Sequence, residues 1–230
     1  MLTIAFHTPD YAHEAELFRA SLEQVGMEHE ITAIESRGDW YDNTAYKPVF
    51  LREMRQKHTG PLLYIDVDAF VHENCEGFFE GLAERGVDFG AHWFRGPAKG
   101  HDLSKVRDEG WWMLSGTLFL GDTTGCRQLL DTWVMFNRFM RQIGVTQGGG
   151  QKNLWYLVTC LEHLKVERLP GCYCRVFDKP WAYDTDEPVI IEHSIASREH
   201  RPPTNHVGPF HGRVNQTRRN YITGLRKLVA

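Results

Sequence analysis

Short apolar runs and stretches with an apolar residue every three or four positions alternate along the chain. Continuous apolar runs predict buried strands, at residues 2–6, 30–34, 62–65, 87–91, 117–120, 166–169 and 189–191. Helical spacing predicts helices, at residues 8–25, 44–57, 124–143, 151–164 and 216–228. Strands that alternate with helices in this way indicate an α/β domain whose central, largely parallel sheet is flanked by helices.

The strand at 62–65 leads directly into a pair of carboxylates, Asp66 and Asp68. Residues two apart in an extended chain share a face, so both side chains point the same way. Open α/β sheets bind ligands outside the carboxyl ends of their strands. Two carboxylates at such a place suit a hard divalent cation, Mg²⁺ or Mn²⁺, which in turn can hold a diphosphate. The alternative is a pair of solvated aspartates in a turn.

Several segments of the chain resemble glycosyltransferases of the GT-A fold, a family that uses nucleotide-sugar donors and a divalent metal at a DxD motif. The resemblance is carried by IAFHTPDY (4–11), WYDNTAYKPVFL (40–51), LLYIDVDAFVHE (62–73), WWMLSGTLFLGDT (111–123) and GGGQKNLWYL (148–157). It implies a single Rossmann-like domain in which residues 1–194 form the nucleotide-sugar-binding core. Residues 195–230 would then be a basic wrap and helix of the same domain.

The resemblance implies roles for individual residues. Asp66 and Asp68 would ligate the metal, and His193 would complete the coordination, with His211 as the alternative late histidine. Contacts to the nucleotide or its sugar would come from Thr8, Tyr11, Asn43, Lys47, Asp66, Ser115, Gly116 and Gln151. The competing interpretations are a buried structural histidine for His193, a core aromatic residue for Tyr11 and a surface lysine for Lys47.

The catalytic base is left open by the sequence. Enzymes of the resembling family often carry an acidic residue before the glutamine, whereas this chain has Gly150 before Gln151. Asp184, Asp186 and Glu192 are the candidate bases, and none of them has a supporting spacing.

These observations predict a metal-dependent glycosyltransferase, with Mn²⁺ or Mg²⁺ as the cofactor and a UDP-sugar as the expected donor of a hexosyl or pentosyl group. A saccharide hydroxyl is the expected acceptor by default. Three alternatives stay open: a phage-type enzyme that glycosylates hydroxymethylated cytosine in DNA, a nucleotidyltransferase, and a non-catalytic nucleic-acid-binding protein.

The distribution of charge keeps a nucleic-acid acceptor open. The chain carries a formal net charge of −4, which does not favour an anionic partner. Residues 195–230 nevertheless contain seven basic residues and one acidic residue, so this tail is +6 and residues 1–194 are −10. A basic tail indicates an anionic partner near the C-terminus, or simply a solvated helix.

Composition and cysteine content exclude several classes of protein. The chain is 42% hydrophobic and 24% charged, which excludes a disordered chain or a coiled coil. No apolar run approaches the roughly 20 residues of a membrane span, and the N-terminus lacks the pattern of a secretion signal. Five cysteines cannot all pair within one chain, so we expect reduced thiols, most of them buried, and a cytoplasmic location.

Overall fold

The computed structural model of the protein describes residues 1–95, 111–144, 149–177, 188–196 and 211–229. The strands are β1 (Leu2–His7), β2 (His29–Ala33), β3 (Leu62–Ile65), β4 (Ala69–Val71), β5 (Phe89–Arg95), β6 (Trp111–Leu120), β7 (Val166–Arg168), β8 (Arg175–Val176) and β9 (Ile191–His193). The helices are α1 (Ala12–Gln24), α2 (Trp40–Ala45), α3 (Lys47–Lys57), α4 (Glu76–Glu84), α5 (Thr124–Gln142), α6 (Gly149–Cys160) and α7 (His211–Arg226). None of the helices within these ranges is long and apolar enough to cross a membrane.

The central sheet has six strands in the order β2-β1-β3-β6-β5-β7. β1 pairs in parallel with β2 and β3, and β5 pairs in parallel with β7, while β6 is antiparallel to both of its neighbours. The fold is therefore α/β with a mostly parallel central sheet flanked by helices, which confirms the predicted fold class. The pattern did not indicate the reversed direction of β6, because an apolar run looks the same in either direction.

Hydrophobic clusters cover both faces of this sheet, and β3 contributes to each of them. Leu63 and Ile65 belong to the cluster that includes α1 and α4, whereas Leu62 and Tyr64 belong to the cluster that includes α3, α5 and α6. All four side chains are buried. A strand buried on both faces needs a continuous apolar run, and β3 has the bounds that this run predicted.

The pairing of β6 with β5 is interrupted in its middle. Ala91 pairs with Leu118 and His92 with Leu114, so residues 115–117 of β6 lie outside the β5 ladder. Such a bulge bends a strand locally and redirects its backbone groups and side chains. The bulge lies next to the end of β3, with which β6 pairs on its other side.

A second, smaller sheet has the strand order β4-β9-β8. β4 is antiparallel to β9, with Ala69 opposite His193, and this pairing brings His193 next to Asp68. The hydrophobic pattern of the sequence did not predict β4, β8 and α4. The two strands are three and two residues long and depend on distant partners, while two glycines weaken the helical signal of α4.

Helix α7 anchors part of the basic tail on the rest of the domain. Arg218 is buried, and it donates to the carbonyl oxygen of Ser194 (3.0 Å) and to the carboxylate of Glu14 in α1 (2.9 Å). At least one of the seven basic residues of the tail is therefore used internally. Residues 197–210, which belong to the predicted wrap, lie outside the described ranges.

Candidate active site

A cavity of about 440 Å³ opens at the edge of the central sheet where β1 and β3 end. Its walls come from the ends of these two strands, the bulge of β6 and the facing sides of α2, α5 and α6. Eight residues predicted for the site line it: Thr8, Tyr11, Asn43, Lys47, Asp66, Asp68, Ser115 and Gln151. The topology thus brings together residues that the sequence places more than 140 positions apart.

Lys47, the first residue of α3, links two walls of the cavity. Its Nζ lies 2.8 Å from Oδ1 of Asp66 and donates to the carbonyl oxygen of Ser115 at 3.0 Å. The hydroxyl of Tyr64 donates to the same carboxylate oxygen. Burial, and then the charge of Asp66, raise the pKa of Tyr64 well above its usual value, so this phenol stays a donor. Asp66 is therefore held in place from two sides.

Asp68 is held by the second sheet and the turn that follows it. Its Oδ2 accepts from the backbone N–H of Ala196 at 2.7 Å, and its Oδ1 lies 3.7 Å from Nδ1 of His193. Burial alone would raise the pKa of Asp68, but the contact with His193 lowers it below its usual value. Burial lowers the pKa of His193, yet its neighbours Cys174 and Asp68 outweigh this and raise it to about 10. The carboxylate of Asp68 therefore favours the protonated form of His193.

Gly116 lies behind the cavity, against the ring of His193. A Cβ at this position would be 2.8 Å from Cε1 of His193, closer than side-chain atoms normally approach. The carbonyl oxygen of Gly116 accepts from the backbone N–H of Asp66 at 2.8 Å. The bulge of β6 thus positions the first carboxylate directly and the second through His193.

The carboxylates meet the chemical requirement for a hard divalent cation, and His193, the predicted third ligand, lies beside Asp68. Nε2 of His193 is shared with the hydroxyl of Thr117 at 2.9 Å and its Nδ1 faces Asp68, so both ring nitrogens are engaged. In the described part of the chain, no three His, Cys, Asp or Glu side chains are arranged to hold a metal. Mg²⁺ commonly uses one or two protein carboxylates and takes its other ligands from substrate phosphates and water, so Asp66 and Asp68 suffice. His211 begins α7, and its side chain lies outside the described part of the structure.

Part of the cavity lining is aromatic and is formed by Tyr11, Trp40 and Tyr41. Tyr11 also packs against the core cluster beneath α1, so it is both a core residue and a cavity residue. Burial raises the pKa of Tyr11, which keeps its hydroxyl protonated. The rings of Trp40 and Tyr41 meet edge to face with centroids 5.1 Å apart. These residues therefore present aromatic surface on which a nucleotide base can stack.

Asn43 is held at the cavity wall by the loop before α2. Its Oδ1 accepts from the backbone N–H of Arg37 at 2.8 Å, and its Nδ2 donates to Oγ of Ser36 at 3.3 Å. Helix α2 itself begins with a capping box in which Asp39 and Asp42 each accept from the other's backbone N–H. These bonds fix the start of the helix that carries Asn43.

Amide side chains of α5 and α6 form another part of the cavity lining. Oε1 of Gln151 accepts from the backbone N–H (3.2 Å) and the hydroxyl (3.1 Å) of Ser115. Nδ2 of Asn153 donates to Oδ1 of Asn137 at 2.7 Å, and both asparagines line the cavity. Amide and hydroxyl groups of this kind form the hydrogen bonds that orient a polar ligand such as a sugar.

Asn137 and Asn153 line the cavity but were not predicted from the sequence. They lie on the buried sides of α5 and α6, with 7% and 4% of their surface exposed. A buried amide on the apolar side of a helix was the available signal, because such a group needs a polar partner or a ligand.

Glu192, one of the three candidate bases, lies away from the cavity. Its carboxylate is 3.3 Å from Nε2 of His72, and Glu192 is not among the residues that line the cavity. Alternation along β9 turns Glu192 to the side of the strand opposite His193, so its candidacy as the base does not fit the structure. Asp184 and Asp186 lie outside the described residues.

Comparisons with known proteins find similarity in fold but not in sequence. No family model matches the chain, and no curated protein matches its sequence. The galactosyltransferase LgtC, solved in complex with donor and acceptor sugar analogs, superimposes with a TM-score of 0.59 and 10% identity over 96% of each chain.

Two further solved structures are similar in the same way. A glycosyltransferase involved in the glycosylation of the major capsid of PBCV-1 has a TM-score of 0.62 and 11% identity, over 95% of this chain and 98% of its own. Mouse xyloside xylosyltransferase 1 has a TM-score of 0.54 and 11% identity, over 85% of this chain and 97% of its own. The chain therefore has a GT-A glycosyltransferase fold along most of its length.

Proposed function

We propose that the chain is a metal-dependent glycosyltransferase that moves a sugar from a nucleoside-diphosphate sugar to a hydroxyl acceptor. The cavity carries this proposal, because it gathers Asp66, Asp68 and Lys47 at the carboxyl edge of the sheet, where α/β folds bind their ligands. The fold supports glycosyl transfer in general, and the resemblance in the DxD segment supports a nucleotide-sugar donor.

The diphosphate of the donor would lie beside Asp66, Asp68 and Lys47. Mn²⁺ or Mg²⁺ held by the two carboxylates would supply Lewis-acid stabilisation of the charge on the leaving diphosphate. Lys47 carries a second positive charge, and its bonds to Asp66 and to the carbonyl of Ser115 hold Nζ at the cavity wall. From there it can donate to a phosphate oxygen whose negative charge grows as the glycosidic bond breaks.

The aromatic and the amide parts of the lining would divide the rest of the donor between them. Thr8 and Tyr11, with Trp40, would contact the nucleoside, for which uridine is the expectation. Ser115 and Gln151 would border the sugar, and Gly116 would act through the backbone that positions Asp66.

The acceptor is proposed to be a saccharide hydroxyl. The alternative of modified DNA depended on the basic tail, and Arg218 of that tail is buried in an ion pair with Glu14 instead of facing solvent. Nothing in the described part of the structure favours a nucleic acid over a saccharide.

The base that takes the proton of the acceptor is proposed to come from outside the metal-binding pair. Asp66 and Asp68 are the carboxylates that line the described part of the cavity, and both are assigned to the cation. If the reaction inverts the anomeric carbon, a third group is needed opposite the leaving phosphate. Asp184 and Asp186 remain the candidates for it.

Nucleotide binding with and without metal tests this function. Titration calorimetry with UDP and UDP-sugars should show binding that requires Mn²⁺ and is lost in Asp68→Asn, while GDP-sugars should bind more weakly. Asp66→Asn, at a half-exposed position, provides a second variant if the buried substitution disturbs folding. Asp131→Asn, an exposed position in α5, is the matched control and should bind as the unmodified protein does.

Three outcomes would contradict the proposal. Binding that survives both metal removal and the two substitutions would argue against the metal site. Cleavage of the donor to a nucleoside monophosphate and a sugar 1-phosphate, instead of a nucleoside diphosphate and a free sugar, would indicate a nucleotidyltransferase. Failure to bind any nucleotide, with tight binding of DNA, would indicate a nucleic-acid-binding protein.

A further inference from the structure

We propose that Arg218, in the C-terminal helix α7, is a positioning residue for the metal-binding carboxylate of Asp68. It acts through the turn of residues 194–196, and it is not among the described residues that line the cavity. The inference rests on the proposed function, because it concerns how firmly the site holds its divalent cation. It gives α7 a part in metal binding, although this helix contributes no group to the cavity.

The turn of residues 194–196 holds Asp68 at two points. The backbone N–H of Ser194 donates to the carbonyl oxygen of Asp68 at 2.8 Å, and the backbone N–H of Ala196 donates to its Oδ2 at 2.7 Å. Ser194 and Ala196 are both buried, so water does not replace these donors. Each carboxylate oxygen has a second lone pair, which leaves Oδ2 able to meet a cation as well. A shift of the turn would therefore carry the carboxylate with it.

The turn is strained at its middle residue. Ile195 has a φ of 52°, and among the described residues it is the one non-glycine residue with a positive φ. A β-branched side chain makes this left-handed conformation unfavourable. Such a conformation persists only where the surrounding structure holds it. The turn therefore depends on contacts from outside it to keep its two N–H groups on Asp68.

Arg218 supplies such contacts. Its Nε donates to the carbonyl oxygen of Ser194 at 3.0 Å, and its Nη2 reaches Oγ of Ser194 at 3.3 Å. That carbonyl belongs to the planar peptide group before Ile195, and the orientation of this group helps to set φ of Ile195. Nη2 also donates to the carboxylate of Glu14 at 2.9 Å, and Arg218 is only 3% exposed. The planar guanidinium, held by α1 on one side, thus clamps the strained peptide on the other.

A direct electrostatic effect of Arg218 on the cation would have the opposite sign. Its positive charge repels a divalent cation, so loss of the charge alone would tighten metal binding. Loss of the clamp would weaken metal binding. Replacing Glu14 together with Arg218 removes one charge of each sign and leaves the net charge unchanged. This pair of substitutions also avoids leaving a buried charge without its partner.

A manganese titration of UDP binding tests the proposal. In the double variant Glu14→Leu with Arg218→Met, the Mn²⁺ concentration that gives half-maximal UDP binding should rise about tenfold, the size expected when a hydrogen bond to a charged group is lost. The amount of UDP bound at saturating Mn²⁺ should be retained, because neither residue is among those that line the cavity. A variant that is merely unstable would instead lose binding capacity without a shift of the midpoint.

Ile195→Gly, added to the double variant, tests the role of the strained turn. Glycine adopts a positive φ without strain, so the triple variant should recover part of the lost Mn²⁺ affinity.

Arg55→Met is the matched control for the loss of a buried arginine. Arg55 is 1% exposed, donates to the carbonyl oxygens of Leu120 and His58, and is not among the described residues that line the cavity. Its replacement should leave the Mn²⁺ midpoint unchanged.

Hydrogen exchange of the metal-free protein separates this inference from the proposed function. Relative to the amides of β3, those of Ser194 and Ala196 should exchange about tenfold faster in the double variant, whether or not the chain binds UDP. Faster exchange in a chain that shows no Mn²⁺-dependent UDP binding would retain the hold of Arg218 on Asp68 and refute the proposed function.

Four results would overturn the inference and leave the proposed function intact, provided that the unmodified chain binds UDP only with Mn²⁺. The first is an unchanged Mn²⁺ midpoint in the double variant, and the second is unchanged exchange of the two amides. The third is an equal shift of the midpoint in Arg55→Met. The fourth is a triple variant that recovers no affinity, because the turn would then not be what Arg218 holds.

Discussion

At the scale of single residues, position 116 requires glycine because the surrounding atoms leave no space for a side chain. The ring of His193 blocks the position of a Cβ, and that ring is itself held by Thr117 and Asp68. The imidazole therefore cannot move aside without disturbing the carboxylate. Packing alone, and not a special backbone conformation, requires glycine here.

Gly116→Ala should accordingly destabilise the protein by about 1–3 kcal/mol, the usual cost of overpacking a filled core. Gly81→Ala in α4 is the matched control, because a Cβ there meets no atom within 4 Å. It should stabilise the protein by roughly 0.5–1 kcal/mol through its helix propensity. Urea unfolding of both variants provides the measurement, and equal effects of the two would show that the contact with His193 is not tight.

Individual site residues could be predicted where a local pattern marks them. Asp66 and Asp68 follow a buried strand two residues apart, which suggests a shared direction without any knowledge of the fold. Ser115 and Gln151 could be named only through the family resemblance. The pairing of Asn137 with Asn153 depends on how α5 packs on α6, so no local pattern contains it.

At the scale of elements, α7 is attached to α1 by a polar contact and an apolar one. Arg218 pairs with Glu14, and Leu225 packs with Leu17. Arg218 and Glu14 have side chains only 4% and 14% exposed, so their charges are largely removed from water. A buried charge that loses its partner is costly, whereas an apolar pair of similar size is often neutral.

Glu14→Ala should therefore lower the free energy of unfolding by about 3 kcal/mol, because it leaves the guanidinium of Arg218 without its carboxylate. The double variant Glu14→Leu with Arg218→Met should recover much of this loss. Chemical denaturation of the single and double variants measures both values. A double variant no more stable than Glu14→Ala would indicate that the bonds of Arg218 to Ser194 matter more than the ion pair.

A helix or strand could be predicted where its own residues carry a clear hydrophobic pattern. β3 has the predicted bounds because its apolar run is uninterrupted. α7 begins five residues earlier than the predicted 216, since its first turns carry no apolar spacing. β4 and β8 are stabilised by their pairing with β9, and that pairing joins residues more than 100 positions apart along the chain for β4.

At the scale of the whole molecule, the cysteines are distributed as the composition suggested. All five are free thiols, four of them are buried, and Cys160 at the end of α6 is exposed. This confirms that most of them act as small core residues. Burial raises the pKa of Cys75 and of Cys126 to about 12, which further suppresses their reactivity as thiolates.

Labelling of the native protein with a thiol reagent at neutral pH should consequently modify one cysteine quickly, and Cys160→Ser should abolish this fast phase. The other four should react only as the protein unfolds, so their rate should follow the concentration of denaturant. Two or more fast-reacting thiols in the native protein would contradict the described burial.

The bulge of β6 suggests how a binding site of this kind can arise in evolution. A strand paired evenly on both sides commits its backbone to the ladder, whereas residues 115–117 direct two carbonyl groups to Lys47 and to the amide of Asp66. Insertion of residues into an existing strand is thus one evolutionary route to a binding pocket. The inserted residues form part of the pocket wall, and the loops of the sheet keep their length. In a lineage that took this route, deletion within 115–117 would be tolerated far less than exchange of the side chains around the pocket.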